Sequence, residues 1–202
     1  MPLPINRRIL LIDDTPAIHD DFRKILTPGT GDSTDLDTVE STLFGSVPKT
    51  PATVFELTSA YGGQEGLGKL LEAAGKEQPY ALAFVDMRMP DGWDGAQTIE
   101  ELWKHDRLLQ VVACTAYTDY SWNELLDRLN GHDRLLILKK PFDNIEVQQM
   151  ANTLTTIWEM TSRAQLQISQ LEELVEQRTQ ALKLASAALQ KEIDERKRLE
   201  KN

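Results

Sequence analysis

Five polar residues stand where apolar runs end: Asp13 and Asp14 after RILLI (8–12), Asp86 after ALAFV (81–85), Thr115 after QVVAC (110–114), and Lys140 just beyond RLLIL (134–138). A carboxylate at the end of a buried strand is costly to desolvate, so it is either an accident or a reactive group. If the runs are parallel strands, these residues meet in one crevice beyond the carboxyl ends of the sheet. Clustered carboxylates repel one another unless a cation joins them. Oxygen ligands and phosphate chemistry point to Mg2+, held by Asp14 and Asp86 with Asp13 acting through water. Asp86 is then a nucleophile for phosphoryl transfer, Lys140 an ammonium for the incoming oxygens and Thr115 a hydroxyl donor to them. The loop after Asp86, with Pro90, Gly92 and Gly95, leaves its approach open.

The elements that must position these groups follow from patterning. With a fifth run at residues 53–59, the apolar runs read as buried strands. Helical spacing lies between them at Ile18, Phe22, Ile25 and Leu26, at Ile99, Leu102 and Trp103, and at Leu125, Leu126 and Leu129. Strand and helix alternating in this way predict an α/β fold, a doubly wound five-stranded parallel sheet covered on both faces. Residues 27–52 are an inserted loop between the first helix and the second strand, in which Leu36, Val39, Leu43 and Phe44 could form a short docked helix.

After PFDN (141–144) neither proline nor glycine recurs, and one long helix is predicted to Asn202, on the order of 85 Å at 1.5 Å per residue. Val147, Met150, Leu154, Ile157, Thr161, Ala164, Ile168, Leu171, Val175, Arg178, Leu182, Ala185 and Leu189 alternate three and four residues apart, the seam of a coiled coil. Ile193, in place of Glu192, makes a stutter. So long a helix needs a partner, and a parallel homodimer is expected. The chain divides accordingly into an α/β domain, residues 1–143, and residues 144–202, the last helix of that domain continuing into a coiled-coil linker.

Thirty-two acidic against 22 basic residues give a net charge of −10, which disfavours nucleic acid and anionic membranes as partners. The excess sits in residues 1–145, while 146–202 hold nine acids and eight bases. The single cysteine, Cys114, rules out an internal disulfide. Without a long apolar signal core, a cytoplasmic protein is expected.

DD (13–14), VDMRMPDG (85–92), CTAY (114–117) and KKPF (139–142) together resemble the receiver domains of two-component response regulators, over roughly residues 6–158. The resemblance implies a flavodoxin-like fold and phosphorylation of Asp86 by a histidine kinase or phosphotransfer protein. It also implies Mg2+ at Asp13, Asp14, Asp86 and the Arg88 backbone carbonyl, with Lys140 and Thr115 assisting. Such a domain is a phosphoacceptor that assists its own phosphorylation and dephosphorylation, not an enzyme with an external substrate. Ile137 stands where many receivers carry an aromatic switch residue, with Tyr117 the candidate substitute. LEELVEQRTQAL (171–182) and EIDERKRL (192–199) resemble the signalling helices that precede output domains, which makes the chain read as part of a longer protein.

Two further function classes compete. One is a constitutive dimerisation scaffold with a degenerate receiver, suggested by Ile137. The other is an aspartate-nucleophile phosphatase, disfavoured because Arg88 stands where such enzymes place a second acid. GQEGLGK (63–69) approaches a phosphate-binding loop, but Leu70 follows where a hydroxyl is needed, so a glycine-rich helix start is expected. His19, His105 and His132 are expected to be exposed and passive, and Cys114 a small core residue. Trp93, Trp103, Trp122 and Trp158 read as packing groups, Trp93 lying beside the pocket.

Overall fold

A computed structural model of the chain describes residues 6–27, 54–90, 92–116, 129 and 133–199. The expected helix at residues 36–44, the bulk of the 27–52 insertion, and the positions Tyr117, Trp122, Leu125, Leu126 and His132 lie outside them. Five strands form, within a few residues of the apolar runs: β1 Arg8–Ile12, β2 Glu56–Ala60, β3 Leu82–Asp86, β4 Gln110–Thr115 and β5 Leu135–Lys139. They pair in parallel in the order β2-β1-β3-β4-β5. Helices α1 Pro16–Leu26, α2 Gly63–Gly75, α3 Gly95–His105 and α4 Asn144–Leu199 accompany them.

The sheet is buried on both faces because its strands are apolar at odd and even positions alike. Ile9, Leu11, Leu82, Phe84, Val112 and Cys114 share one core with Phe22, Ile25 and Leu26 of α1 and Val147, Ala151 and Leu154 of α4. The alternate residues Leu10, Ile12, Ala83, Val85, Val111 and Ala113 share the other with Leu70, Ala73, Ile99 and Leu102. Two-residue strand periodicity thus fills two cores, and the three- and four-residue helical spacings fill the opposite walls.

Gly95 opens α3 where that helix crosses the exit of β3. A Cβ at this position would lie 2.5 Å from both the Asp86 carbonyl oxygen and the Met87 Cα. Those neighbours are backbone and cannot rotate away. Gly95→Val is therefore expected to cost about 3 kcal/mol of stability, read from the urea midpoint.

The chain divides into two compact units, residues 1–159 and 160–202. In the first, α4 buries Val147, Ala151, Leu154 and Trp158. This corrects the predicted seam: Val147 and Leu154 belong to the core of the α/β unit, since the strand pattern leaves that sheet face apolar and something must cover it. Ile157, which the same pattern placed in the seam, is exposed. In the second unit Ile168, Leu171, Val175, Leu182 and Leu189 are all exposed along the helix. Among the described residues, no helix is long and apolar enough to cross a membrane.

Candidate functional site

The strand order places the carboxyl end of β1 beside that of β3, followed by β4 and β5. Asp13 follows β1 and is 1% exposed; Asp86, the last residue of β3, is 7% exposed; Asp14 is exposed. One ligand oxygen from each of the three lies within 4.8 Å of the others. Lys140, just beyond β5, brings its Nζ to 2.8 Å from Asp13 Oδ2 and 2.9 Å from Asp86 Oδ1. The strands thus bring together residues 127 positions apart in the chain, at a spacing their sheet register dictates.

Backbone bonds fix the frame. Asp13 N–H donates to Ala60 O at 3.1 Å, Met87 N–H to Cys114 O at 2.9 Å, and Lys140 N–H to Thr115 O at 2.7 Å. The Lys140–Pro141 peptide is cis. Thr115 is one residue beyond Cys114, the register partner of Asp86, and its hydroxyl donates to the Ala116 carbonyl at 2.9 Å. Arg88 is exposed on the loop after β3. Gly92, at φ 106°, turns that loop, and Asp94 caps α3 by accepting from Gln97 N–H at 2.7 Å.

Burial raises the Asp86 carboxyl above the ordinary range; the Lys140 ammonium opposes this, and Asp13 and Asp14 add to it. For Lys140 burial is the largest single influence and pulls its pKa down. The hydrogen bonds from Asp13 and Asp86 outweigh it together, and the ammonium is held above its usual value. Three carboxylates against one ammonium leave the pocket negative, and all its candidate ligand atoms are oxygens. That donor set suits a hard divalent cation such as Mg2+.

No protein-family model matches the sequence, and no curated protein does. Solved structures do match. The structure described as the adenylate cyclase from Rhodopirellula baltica superposes with a TM-score of 0.57 at 19% identity, covering 81% of this chain and 98% of that one. A CheY-like receiver domain protein from Methanospirillum hungatei gives 0.53 at 21% identity over 77% of this chain and 98% of its own. A receiver domain protein from Clostridium thermocellum gives 0.53 at 19% identity, covering 76% and 98%. The fold is that of response regulator receiver domains.

Within this receiver fold the other singled-out residues find plain places. The glycine-rich run 63–69 opens α2 as helix: a Cβ on Gly63 would strike the Thr98 hydroxyl and one on Gly66 the Ile12 side chain. Lys69, the would-be phosphate ligand, is committed to the Ser59 carbonyl and to Glu65 instead. Cys114 is buried, and burial raises its thiol pKa. Trp103 and Trp158 are buried, Trp93 is half-buried and His105 exposed.

His19 overturns its expectation. It is fully buried in α1, with Nε2 at 2.8 Å from the Asp13 carbonyl oxygen. The signal was present in the sequence, since His19 precedes Phe22 and Leu26 by three and seven residues and so lies on their apolar face. Thr15, whose N–H donates to Asp13 Oδ1 at 2.9 Å, also escaped the pattern, because a backbone donor has no residue-type signature.

Proposed function

We propose that the chain is the phosphoacceptor receiver of a two-component relay, with residues 1–143 as the body of the receiver and 144–202 as its last helix continuing into a coiled-coil linker. The observation that carries this is the Lys140 ammonium bridging Asp13 and Asp86, with Asp14 in the same cluster. Asp13, Asp14, Asp86 and the Arg88 carbonyl would hold Mg2+. When bound, that ion neutralises phosphoryl oxygens and the excess acidity of the pocket.

Asp86 does the chemistry. One of its carboxylate oxygens attacks the phosphorus of a phosphohistidine on a kinase or phosphotransfer protein; the O–P bond forms as the N–P bond breaks, and the imidazole leaves with the electron pair. Lys140 gives its bond to Asp86 over to a phosphoryl oxygen, and the Thr115 hydroxyl turns from Ala116 to another. Hydrolysis of the acyl phosphate in the same pocket restores the carboxylate. The reaction is therefore a self-assisted switch in this domain rather than turnover of an external substrate.

The test is intact mass after incubation with Mg2+ and acetyl phosphate. One phosphoryl group is expected on the wild type. A folded wild type that gains none would leave the scaffold reading.

The linker carries the signal as a parallel homodimer toward an output domain, through Thr161, Ala164, Ile168, Leu171, Val175, Arg178, Leu182, Ala185 and Leu189. Its support is the exposed apolar stripe of the second unit: stripped of partners, such a face is unfavourable in water. Val175→Cys is expected to form a disulfide between like residues under mild oxidation, tracked on a non-reducing gel. An antiparallel pairing would leave this variant largely uncrosslinked.

A further inference from the structure

We propose that His19 is a positioning residue of the acidic site, its Nε2–H holding the Asp13 carbonyl and thereby orienting the peptide that carries Asp14. The inference rests on the reading of the acids as a cation site. The Asp13 carbonyl can only accept, so the contact at 2.8 Å requires the proton on Nε2.

Each polar group of Asp13 then has a partner from a different part of the fold. Its N–H goes to Ala60 of β2. Oδ1 is held by the Thr15 N–H, Oδ2 by Lys140 and the carbonyl by His19. The carbonyl is the group that sets the plane of the Asp13–Asp14 peptide. Asp14 itself is exposed, and among the described residues its carboxylate takes one hydrogen bond, from the adjacent Thr15 hydroxyl at 3.1 Å. Its placement among the ligand oxygens therefore depends on the backbone before it, which His19 pins from inside α1.

Packing alone does not account for a histidine here. Among the described residues its buried Nδ1 has no hydrogen-bond partner, which costs stability that a leucine would not lose. The Tyr61 ring lies 4.5 Å from the imidazole, tilted by 46°, and limits its rotation. A costly buried donor held in one orientation against a carbonyl next to the pocket is the arrangement of an outer partner that aims a ligand.

The test compares wild type, His19→Leu and His19→Gln, the glutamine amide restoring a donor at similar reach. Mg2+ affinity by calorimetry should weaken roughly tenfold in His19→Leu and return toward wild type in His19→Gln. The urea midpoint of His19→Leu should hold or rise. In the Mg2+-free wild type, the imidazole 15N spectrum should show Nε2 protonated. Equal affinity in His19→Leu, no recovery in a folded His19→Gln, or an unprotonated Nε2 each overturns the proposal. If His19→Leu fails to fold, His19→Gln and the 15N spectrum decide it on the same terms. A wild type that binds no Mg2+ overturns the cation-site reading and this proposal together, a result distinct from a wild type that binds and a variant that matches it.

Discussion

Asp86→Asn is expected to take up no phosphoryl group from acetyl phosphate where the wild type takes one, and to be the more stable protein at neutral pH. The first effect follows from chemistry: an amide oxygen lacks the charge and basicity to form the acyl phosphate. The second follows from burial. The Asp86 carboxyl titrates higher in the folded chain than in the unfolded one, chiefly because burial penalises its charged form. Between the ordinary carboxylate range and that raised value the folded protein binds a proton that the unfolded chain has released. Stability therefore falls as pH rises through the window. Asparagine has no charge to desolvate, so the variant's advantage is full above the window and disappears below the usual aspartate range. Thermal melts without Mg2+ from acid to neutral pH, beside intact masses at neutral pH, check both halves. A variant less stable than wild type at neutral pH would show that the bond to Lys140 outweighs the burial.

Lys140→Met carries the other large effect. The ammonium is the shared partner of two nearly buried carboxylates, Asp13 and Asp86. Removing one member of a buried charge group leaves the others desolvated and mutually repelling, at a cost of about 3 kcal/mol. Methionine keeps most of the side-chain volume, which isolates the electrostatic part. The loss should shrink on acidification, as the carboxylates protonate. It should also shrink with millimolar Mg2+, which should raise the melting temperature of the variant more than that of the wild type, because a cation can neutralise the acids the ammonium has left. Equal Mg2+ shifts in the two proteins would mean that the cation and the ammonium do not share those charges. Denaturant titrations with and without Mg2+ provide the measurement.

The two arguments differ in how far the sequence anticipated them. Asp13, Asp14, Asp86 and Lys140 stand out because charged residues directly after apolar runs are conspicuous, and the parallel-sheet rule sends strand ends to one edge. The strand runs were legible for the same reason: a chain apolar at both odd and even positions needs cover on both faces. Lys69 shows the converse. Its glycine-rich surroundings suggested a phosphate loop until Leu70 was counted, and the structure spends its ammonium on the end of β2 and on Glu65.

Where sequence reasoning failed, it lacked a second partner. Val147 and Leu154 satisfy a coiled-coil heptad and equally satisfy a helix covering a sheet, because both need an apolar residue every three or four positions. Only the tertiary structure shows that the sheet takes them, while Val175 and Leu182 stay exposed. His19 differs: its spacing to Phe22 and Leu26 put it on the apolar face of its helix, residue type alone suggested surface, and only the structure shows the Asp13 carbonyl that its Nε2 meets. The sequence by itself determined the strands, their alternation with helices and the acids at their ends, because hydrophobic periodicity and desolvation cost are local properties of the chain. Tertiary structure alone decided which acids are buried, that the Lys140 ammonium bridges two of them and which helical face is already taken, because burial and pairing depend on neighbours that the linear order does not specify.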